Sequence, residues 1–203
     1  MIACETDGPL SVITLNRPEK ANALTHAMLG DILAAVRGCQ EQSAVILTGA
    51  GKVFSAGADL DEVGGGLATD PVWEELSAAI AALPCLTIAA LNGSLAGGAF
   101  GMALACDMRI SVASARFFYP VMTLGFLPQP SDPARLARLV GPARAKVILM
   151  AAQKIDAETA LRWGLIDEIA GDAVLQRAKD LTEAACGARA GHVGAIKDFF
   201  ETH

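Results

Sequence analysis

A long uncharged stretch is the feature that most limits how this chain can fold. No charged residue lies between Glu75 and Asp107, a span long enough to cross a lipid bilayer. Pro84 and the Asn92-Gly93 pair interrupt the stretch, and both favour breaks or turns in the chain. The stretch is therefore predicted to form a helix, a buried strand, a glycine-rich loop and a second buried helix, and not a membrane span.

The composition favours one hydrophobic core that needs neither disulfides nor metals. Of the 203 residues, 53% are hydrophobic and 19% are charged, which is sufficient for a sizeable core. A net charge of -6 provides no positive surface for phosphate groups, so we expect no nucleic acid partner and no membrane partner. We expect a single domain over residues 1–203, with an α/β core to about residue 134 and a helical tail over about 135–203.

The cysteines and the N-terminus favour a reducing compartment. The five cysteines are widely spaced, form no CxxC pair and have no histidine at metal-ligand spacing, so we expect reduced thiols and no metal site. A secretion signal requires a basic start followed by an apolar stretch, whereas this chain begins with Glu5 and Asp7. We therefore expect a cytoplasmic location.

Short apolar runs alternate with a helical pattern in the first half of the chain. Strands are predicted at Leu10 to Leu15, Ala44 to Thr48 and Leu86 to Leu91. A helix is predicted after Thr25, its N-cap, because apolar residues recur at helical spacing from Leu24 to Val36. Strands separated by helices favour parallel pairing through right-handed crossovers.

The second half of the chain has signals for helix ends. Pro142 follows Gly141 and fits the first position of a helix. Asp156 is predicted to cap the next helix, and Gly164 is predicted to end it. These signals predict the helical tail.

Two strand-loop-helix segments are rich in small residues, and they span Ala44 to Leu60 and Leu86 to Asp107. A helix start exposes unpaired backbone N–H groups, and small residues let a ligand oxygen approach them. Two such loops side by side would form an oxyanion hole, in which each donor contributes about 3–4 kcal/mol. The alternative is that the glycines serve only tight helix-strand packing. Neither loop matches GxxxxGK[ST] or GxGxxG, so we expect no nucleotide-phosphate site.

Six segments carry a family pattern, in family order, over nearly the whole chain. They are LNRPEKANAL (15–24), LTGAGKVFSAGADL (47–60), NGSLAGGAFGMALACDMRIS (92–111), ARFFYPVMTLGFLP (115–128), RLARLVGPARAKVILM (135–150) and IDAETALRWGLIDEI (155–169). Together they resemble the crotonase superfamily, the enoyl-CoA hydratase/isomerase family. The resemblance implies an α/β fold with a crotonase-like ββα superhelix core and a shortened helical C-terminal tail. It also implies a coenzyme A thioester as substrate, no permanently bound cofactor, and a homo-oligomer, either a trimer or a hexamer.

The resemblance also implies a set of site residues. The backbone N–H groups of Ala58 and Gly98 would hold the thioester carbonyl oxygen. Lys20 would lie near the nucleotide phosphates, although a solvated surface lysine is the alternative. Asp59 would line the site and can also cap a helix. The other residues implied to bind coenzyme A or substrate are Ala21, Ala23, Ala56, Leu60, Gly97, Gly101, Pro120, Val121 and Gly125.

The chain departs from the family at the positions that carry acid-base chemistry. The hydratases of the family use two glutamates, and the matching positions here are Gly101 and Val121, neither of which can move a proton. A third position, an aspartate in the dienoyl-CoA isomerases and aromatic acyl-CoA dehalogenases of the family, is Gln129. The resemblance therefore gives no support to these mechanisms in this chain.

Asp132, in the segment PQPSDP, is the best remaining candidate for an acid or base, and Tyr119 and Asp61 come next. The alternative for Asp132 is a turn-forming role between two prolines. The spacing of the histidines gives no Ser-His-Asp triad; they are His26, His192 and His203.

We therefore predict an acyl-CoA-processing enzyme, enoyl-CoA hydratase/isomerase-like, of the lyase or isomerase class. One alternative is a catalytically silent acyl-CoA-binding or assembly protein of the same fold, and another is an α/β domain without a coenzyme A site. Relatives carry further C-terminal helices that cover the acyl pocket and contribute to the trimer, whereas this sequence ends at His203. A different oligomer could form through the surface that those helices would cover.

Overall fold

The structure is a computed structural model that describes residues 1–201. His203 lies outside the described residues. The strands are β1 (Ile2–Asp7), β2 (Leu10–Leu15), β3 (Ala44–Gly49), β4 (Val53–Ser55), β5 (Leu86–Leu91), β6 (Ser94–Ala96), β7 (Met108–Ser111), β8 (Arg116–Phe118), β9 (Ile155–Asp156) and β10 (Glu168–Ile169). The α-helices are α1 (His26–Arg37), α2 (Leu60–Val63), α3 (Val72–Ala81), α4 (Phe100–Ala105), α5 (Val121–Leu124), α6 (Asp132–Val140), α7 (Pro142–Leu149), α8 (Ala157–Trp163), α9 (Val174–Cys186) and α10 (His192–Glu201).

The larger sheet has the strand order β1-β2-β3-β5-β7-β10. Only β1 and β2 pair antiparallel, and all other neighbours in this sheet are parallel. The three predicted strands are confirmed as β2, β3 and β5, and β3 extends one residue further, to Gly49. Parallel pairing brings the carboxyl ends of β3 and β5 to the same edge, where both glycine-rich loops begin.

The smaller sheet has the order β4-β6-β8-β9 and consists of very short strands. Strands β4 and β6 belong to the two glycine-rich segments and pair in parallel, so the sheet aligns the two loops. The chain after residue 134 is mostly helical, as expected. It also supplies β9 to the smaller sheet and β10 to the larger one, which the sequence analysis did not predict.

The predicted helix ends are confirmed. The Thr25 hydroxyl accepts a hydrogen bond from the N–H of Met28 at 3.1 Å and caps α1. The Asp156 carboxylate accepts one from Thr159 at 2.9 Å and caps α8. Gly164, with φ of +82°, ends α8 in the left-handed conformation that glycine adopts without strain.

Helices α3 and α4 carry the uncharged stretch into the core. Their inward side chains include Trp73, Leu76 and Ile80 of α3, and every residue of α4 is buried. The predicted order of helix, buried strand, glycine loop and buried helix is therefore confirmed. Within residues 1–201, none of the helices is both long and apolar enough to cross a membrane.

Candidate active site

Gly57 brings the two glycine-rich loops into direct contact. Its φ is +90°, and a Cβ atom at this position would lie 2.9 Å from the Ala96 carbonyl oxygen and 3.2 Å from the Gly97 Cα. A side chain would therefore be strained by the backbone conformation and would also clash with the neighbouring loop. Glycine at this position is what allows the two loops to lie side by side.

Two asparagines hold the first loop in place. The Asn22 amide donates hydrogen bonds to the carbonyl oxygens of Ala50 at 2.9 Å and Val53 at 2.7 Å. The Asn92 oxygen accepts one from the N–H of Gly49 at 3.0 Å. Asn22 is fully buried, and Asn92 is partly exposed. Hydrogen bonds of this kind fix loop geometry, because breaking them would leave backbone groups unpaired.

The backbone N–H groups of Ala58 and Gly98 donate to no other group of residues 1–201. Ala58 forms an isolated bridge with Leu24, but its neighbours make the two hydrogen bonds of that bridge. Gly98 lies in the short 3-10 turn Gly97–Ala99, where the first N–H groups have no acceptor within the turn. Both residues line one cavity. The site therefore presents two unpaired backbone donors beside the same space.

This cavity has a volume of about 200 Å³ and is mostly apolar. It is lined by Ala56, Ala58, Leu60, Val63, Ala68, Trp73, Gly97, Gly98, Tyr119, Pro120, Val121, Leu124, Phe126, Leu127 and Gln129. Leu60 and Leu127 lie at its rim and are 75% and 85% exposed.

Trp73 is a cavity residue that sequence reasoning missed. A Cβ atom on Gly98 would lie 3.2 Å from the indole ring, so the ring lies directly against the glycine loop. The indole N–H donates to the Leu67 carbonyl oxygen at 2.8 Å and fixes the ring orientation. Trp73 therefore forms a rigid apolar wall beside the Gly98 amide.

The implied site residues separate into two groups. Those that line the cavity are Ala56, Ala58, Leu60, Gly97, Gly98, Pro120 and Val121. Those that do not line it are Lys20, Ala21, Ala23, Asp59, Gly101, Gly125 and Asp132.

Several residues of the second group support the loops. The Ala21 carbonyl accepts a hydrogen bond from Ala56 N–H at 3.0 Å, and the Ala23 carbonyl accepts one from the Arg17 guanidinium at 3.0 Å. The same guanidinium pairs with Asp59, which caps α2, and this hydrogen bond lowers the pKa of Asp59. These groups position Ala58 without facing the cavity.

The other polar residues considered for the site in the first half of the chain lie on the protein surface. Lys20 and Asp61 are exposed, with 3.7 Å between Nζ and Oδ2. Nε2 of His26 is 3.3 Å from Oδ2 of Asp70, at the start of α1. Asp61 therefore does not reach the cavity as an acid or base.

Asp132 is the first residue of α6 and is fully buried. Its backbone N–H donates to the Gln129 carbonyl oxygen at 3.1 Å and closes the turn before the helix, so the turn-forming role is compatible with its place in the structure. Its Oδ1 lies 3.1 Å from the position of a Cβ atom on Gly101 and has no hydrogen-bond partner among residues 1–201. Its Oδ2 accepts a hydrogen bond from the Tyr119 hydroxyl at 2.9 Å. The carboxyl group therefore lies beside Gly101, the residue that the family resemblance matches to the first glutamate.

Burial raises the pKa of Asp132 to about 7. The hydrogen bond from Tyr119 and the positive charge of Arg135 lower the pKa in part, and the negative charge of Glu74 raises it. Burial also raises the pKa of Tyr119 above its usual range, and Asp132 adds to this effect. Near neutral pH the pair therefore keeps the phenol proton and much of the carboxyl proton.

Tyr119 connects this carboxyl group to the cavity, which it lines. Its ring stacks on Phe100 with 5.3 Å between centroids. Its hydroxyl oxygen accepts a hydrogen bond from the N–H of Gln129 at 3.3 Å. Gln129 also lines the cavity, and its amide donates to the Ala68 carbonyl oxygen at 3.3 Å.

Comparison with known proteins assigns the chain to a family. The enoyl-CoA hydratase/isomerase family profile matches residues 5–202. A probable enoyl-CoA hydratase of Rhodobacter capsulatus is 41% identical over 177 residues, which cover 84% of this chain and 69% of that protein. A carnitinyl-CoA dehydratase of Citrobacter koseri is 35% identical over 202 residues, which cover 95% of this chain and 77% of that protein.

A crystal structure of an enoyl-CoA hydratase from Bacillus anthracis superimposes with a TM-score of 0.90 and 29% identity, covering 99% of this chain and 82% of that one. The two sheets and this similarity define a protein of the crotonase fold. The chain belongs to the enoyl-CoA hydratase/isomerase family. Among residues 1–201, no cluster of three or more His, Cys, Asp or Glu side chains could hold a metal ion.

Proposed function

We propose that this protein is an acyl-CoA-processing enzyme that stabilises a thioester enolate with the N–H groups of Ala58 and Gly98. The observation that carries the proposal is that both donors are unpaired and line one apolar cavity. Negative charge develops on the thioester oxygen when an enolate forms, and fixed donors at that oxygen stabilise it more than they stabilise the neutral carbonyl. The apolar walls exclude water and strengthen both hydrogen bonds.

The proposal extends to the rest of the substrate. The acyl group lies against Trp73 and Tyr119, because both line the cavity beside the donors. The pantetheine chain leaves past the exposed side chain of Leu60, and the nucleotide phosphates lie towards Lys20 on the adjacent surface. Coenzyme A enters and leaves as part of the substrate, so no permanently bound cofactor is needed.

The proposal is tested with a panel of enoyl-, malonyl- and β-ketoacyl-CoA thioesters. We expect calorimetry to detect saturable binding and at least one thioester to turn over. Tight binding with no turnover in the whole panel would contradict an enzyme and favour the catalytically silent acyl-CoA-binding protein. Absence of binding would contradict a coenzyme A site altogether.

Trp73 is expected to limit the length of the acyl group. Replacing it by phenylalanine removes part of a rigid wall and the hydrogen bond to Leu67. We expect kcat/KM for a longer acyl-CoA to rise about 10-fold relative to a short one, since each methylene accommodated in an apolar pocket contributes about 1–3 kcal/mol. Trp163→Phe is the matched control, because that indole lies on α8 against Arg144 and does not line the cavity. An unchanged ratio in Trp73→Phe would contradict this role.

We also propose a homo-oligomer, a trimer or a hexamer. Large apolar side chains are exposed at the cavity rim and on α10, namely Leu60, Leu124, Leu127, Ile196, Phe199 and Phe200. Exposed apolar patches of this kind mark surfaces that bind other protein surfaces. Light scattering at micromolar concentration is expected to give the mass of three or six chains. A monodisperse monomer would refute the proposal.

A cytoplasmic location completes the proposal. All five cysteines are unpaired, and Cys39, Cys85 and Cys106 are buried thiols. Unpaired cysteines are typical of proteins that remain in a reducing compartment.

A further inference from the structure

We propose that Tyr119 is the acid that protonates the enolate carbon in this cavity, that Asp132 positions its hydroxyl and resupplies its proton, and that the substrate is a malonyl-type thioester, which carries a carboxylate on its α-carbon. This inference rests on the proposed function, because it requires a thioester enolate bound by the Ala58 and Gly98 amides.

The first step of the argument is position. Among the described residues that line the cavity, Tyr119 is the one whose side chain carries an ionisable proton. The two positions at which hydratase glutamates are implied hold Gly101, which does not line the cavity, and Val121, which does. A proton delivered to bound substrate by a side chain therefore comes from Tyr119.

The second step is the carboxyl group behind the tyrosine. Asp132 has no exposed surface and does not line the cavity, so it reaches the substrate only through the hydroxyl that it binds at 2.9 Å. Gly101 makes room for it, because a Cβ atom there would lie 3.1 Å from Oδ1. Gly101 stands in α4 where the resemblance implies a glutamate. Because glycine has no side chain, the carboxyl group of Asp132 from α6 fits beside it.

The third step is the orientation of the hydroxyl. The Phe100 ring fixes the plane of the Tyr119 ring, and the N–H of Gln129 and the Asp132 carboxyl hold the phenolic oxygen from two directions. An acid held in this way needs little reorganisation when it donates its proton.

The fourth step is the direction of proton transfer. The groups that face Asp132 are Tyr119, Glu74 from α3 and Arg135 from α6. Burial outweighs the positive charge of Arg135, so the pKa of Asp132 is about 7, and the carboxyl keeps its proton below that pH while Tyr119 keeps its proton throughout this range. The pair is therefore suited to donate a proton and poorly suited to remove one.

Among the described residues, the site holds an acid and no base, so it suits a substrate that forms its enolate without losing a proton. In a malonyl-type thioester, the bond between the α-carbon and the carboxylate breaks, its electron pair forms the enolate, and carbon dioxide leaves. No base is needed for this step. In the protonated form of Asp132, the carboxyl O–H donates to the phenolic oxygen, and the Tyr119 O–H is free to face the substrate. The enolate pair then forms a C–H bond as that O–H bond breaks, and the carboxyl proton of Asp132 moves to the phenolate oxygen. The pair regains a proton from water in the cavity through the Tyr119 hydroxyl. A neutral phenol and carboxyl also avoid repelling the substrate carboxylate.

Malonyl-CoA is the probe, and its decarboxylation to acetyl-CoA is measured from pH 5 to 9 for wild type, Tyr119→Phe, Asp132→Asn and Thr123→Val. The Thr123 hydroxyl donates to the Pro120 carbonyl on the exposed side of α5, so Thr123→Val controls for the loss of a nearby hydroxyl. Tyr119→Phe is expected to lower kcat about 100-fold and to leave the calorimetric Kd for malonyl-CoA within about 3-fold. Asp132→Asn keeps a hydrogen-bond partner for the tyrosine but has no acidic proton to resupply, and it is expected to lower kcat about 10-fold.

The pH profile separates a positioning role from a structural one. Wild-type kcat is expected to fall above about pH 7, as Asp132 loses its proton, and this fall is expected to be absent in Asp132→Asn. A wild-type rate in Tyr119→Phe, or a wild-type pH profile in Asp132→Asn, would overturn the inference. Wild-type protein that binds malonyl-CoA without decarboxylating it, while it turns over an enoyl-CoA, would overturn the inference and leave the proposed function standing.

Discussion

Replacing Gly57 by alanine is expected to lower kcat about 100- to 1,000-fold, the loss that follows removal of one oxyanion donor. The new Cβ atom would lie 2.9 Å from the Ala96 carbonyl oxygen and 3.2 Å from the Gly97 Cα, so the loops must separate. The Ala58 and Gly98 amides then no longer reach the same oxygen. The loss is expected in kcat more than in KM, because the donors act on charge that develops in the transition state.

Gly171→Ala is the matched control for this experiment. Gly171 also has a positive φ, of +67°, but no atom lies within 4 Å of the position of its Cβ. Both variants introduce backbone strain, which is expected to cost about 1–2 kcal/mol of unfolding free energy. Only Gly57→Ala is expected to lose activity. A Gly57→Ala protein with kcat within a few-fold of wild type would show that the paired loops do not form the oxyanion site.

The elements that sequence analysis predicted are those with a local cause. The apolar runs of β2, β3 and β5 are buried on the larger sheet, and Thr25 and Asp156 bond to backbone N–H groups three residues ahead. The short strands β9 and β10 have no such local signal, because two residues cannot show a period. They exist because the folded chain places them beside β8 and β7.

The candidate site also has some features with a local sequence signal and others that depend on contacts between distant parts of the chain. The two glycine-rich loops could be predicted because such turns leave a local signature, whereas the choice of Ala58 and Gly98 as the donors came from the family resemblance, and their role in turnover remains a prediction. The side chains around the cavity could not be predicted from spacing, since Trp73 reaches Gly98 from a different helix. Asp132 was a candidate by elimination, but its place beside Gly101 depends on how α6 packs on α4. No local pattern encodes such a contact between distant residues.

Ionisation of Asp132 is expected to destabilise the folded chain as the pH rises. The pKa of the carboxyl is about 7 in the folded state, where burial disfavours the charge, compared with 3.8 for an unperturbed aspartate. Between about pH 4 and pH 7 the unfolded chain loses this proton while the folded chain keeps it. The unfolded state then binds fewer protons, so the free energy of unfolding falls with rising pH, by about 4 kcal/mol in total.

Asp132→Asn isolates this effect, because asparagine keeps an acceptor for Tyr119 and has no proton to lose. Urea unfolding of both proteins is measured from pH 4 to 8, and the difference between the two unfolding free energies is compared across this range. Asp59, Asp156 and Glu168 have lowered pKa values because of their hydrogen-bond partners, and they change stability in the opposite direction at acid pH. They do so equally in both proteins, so their contributions cancel in the difference.

The difference is expected to move in favour of Asp132→Asn as the pH rises from 4 and to level off above about pH 7. A difference that stays flat over this range would contradict a buried carboxyl that holds its proton. In the expected outcome, the wild-type chain loses stability between about pH 4 and pH 7 that the Asp132→Asn variant keeps, because the wild type holds a titratable group in an apolar position. A group that costs stability in this way is typical of a site selected for chemistry.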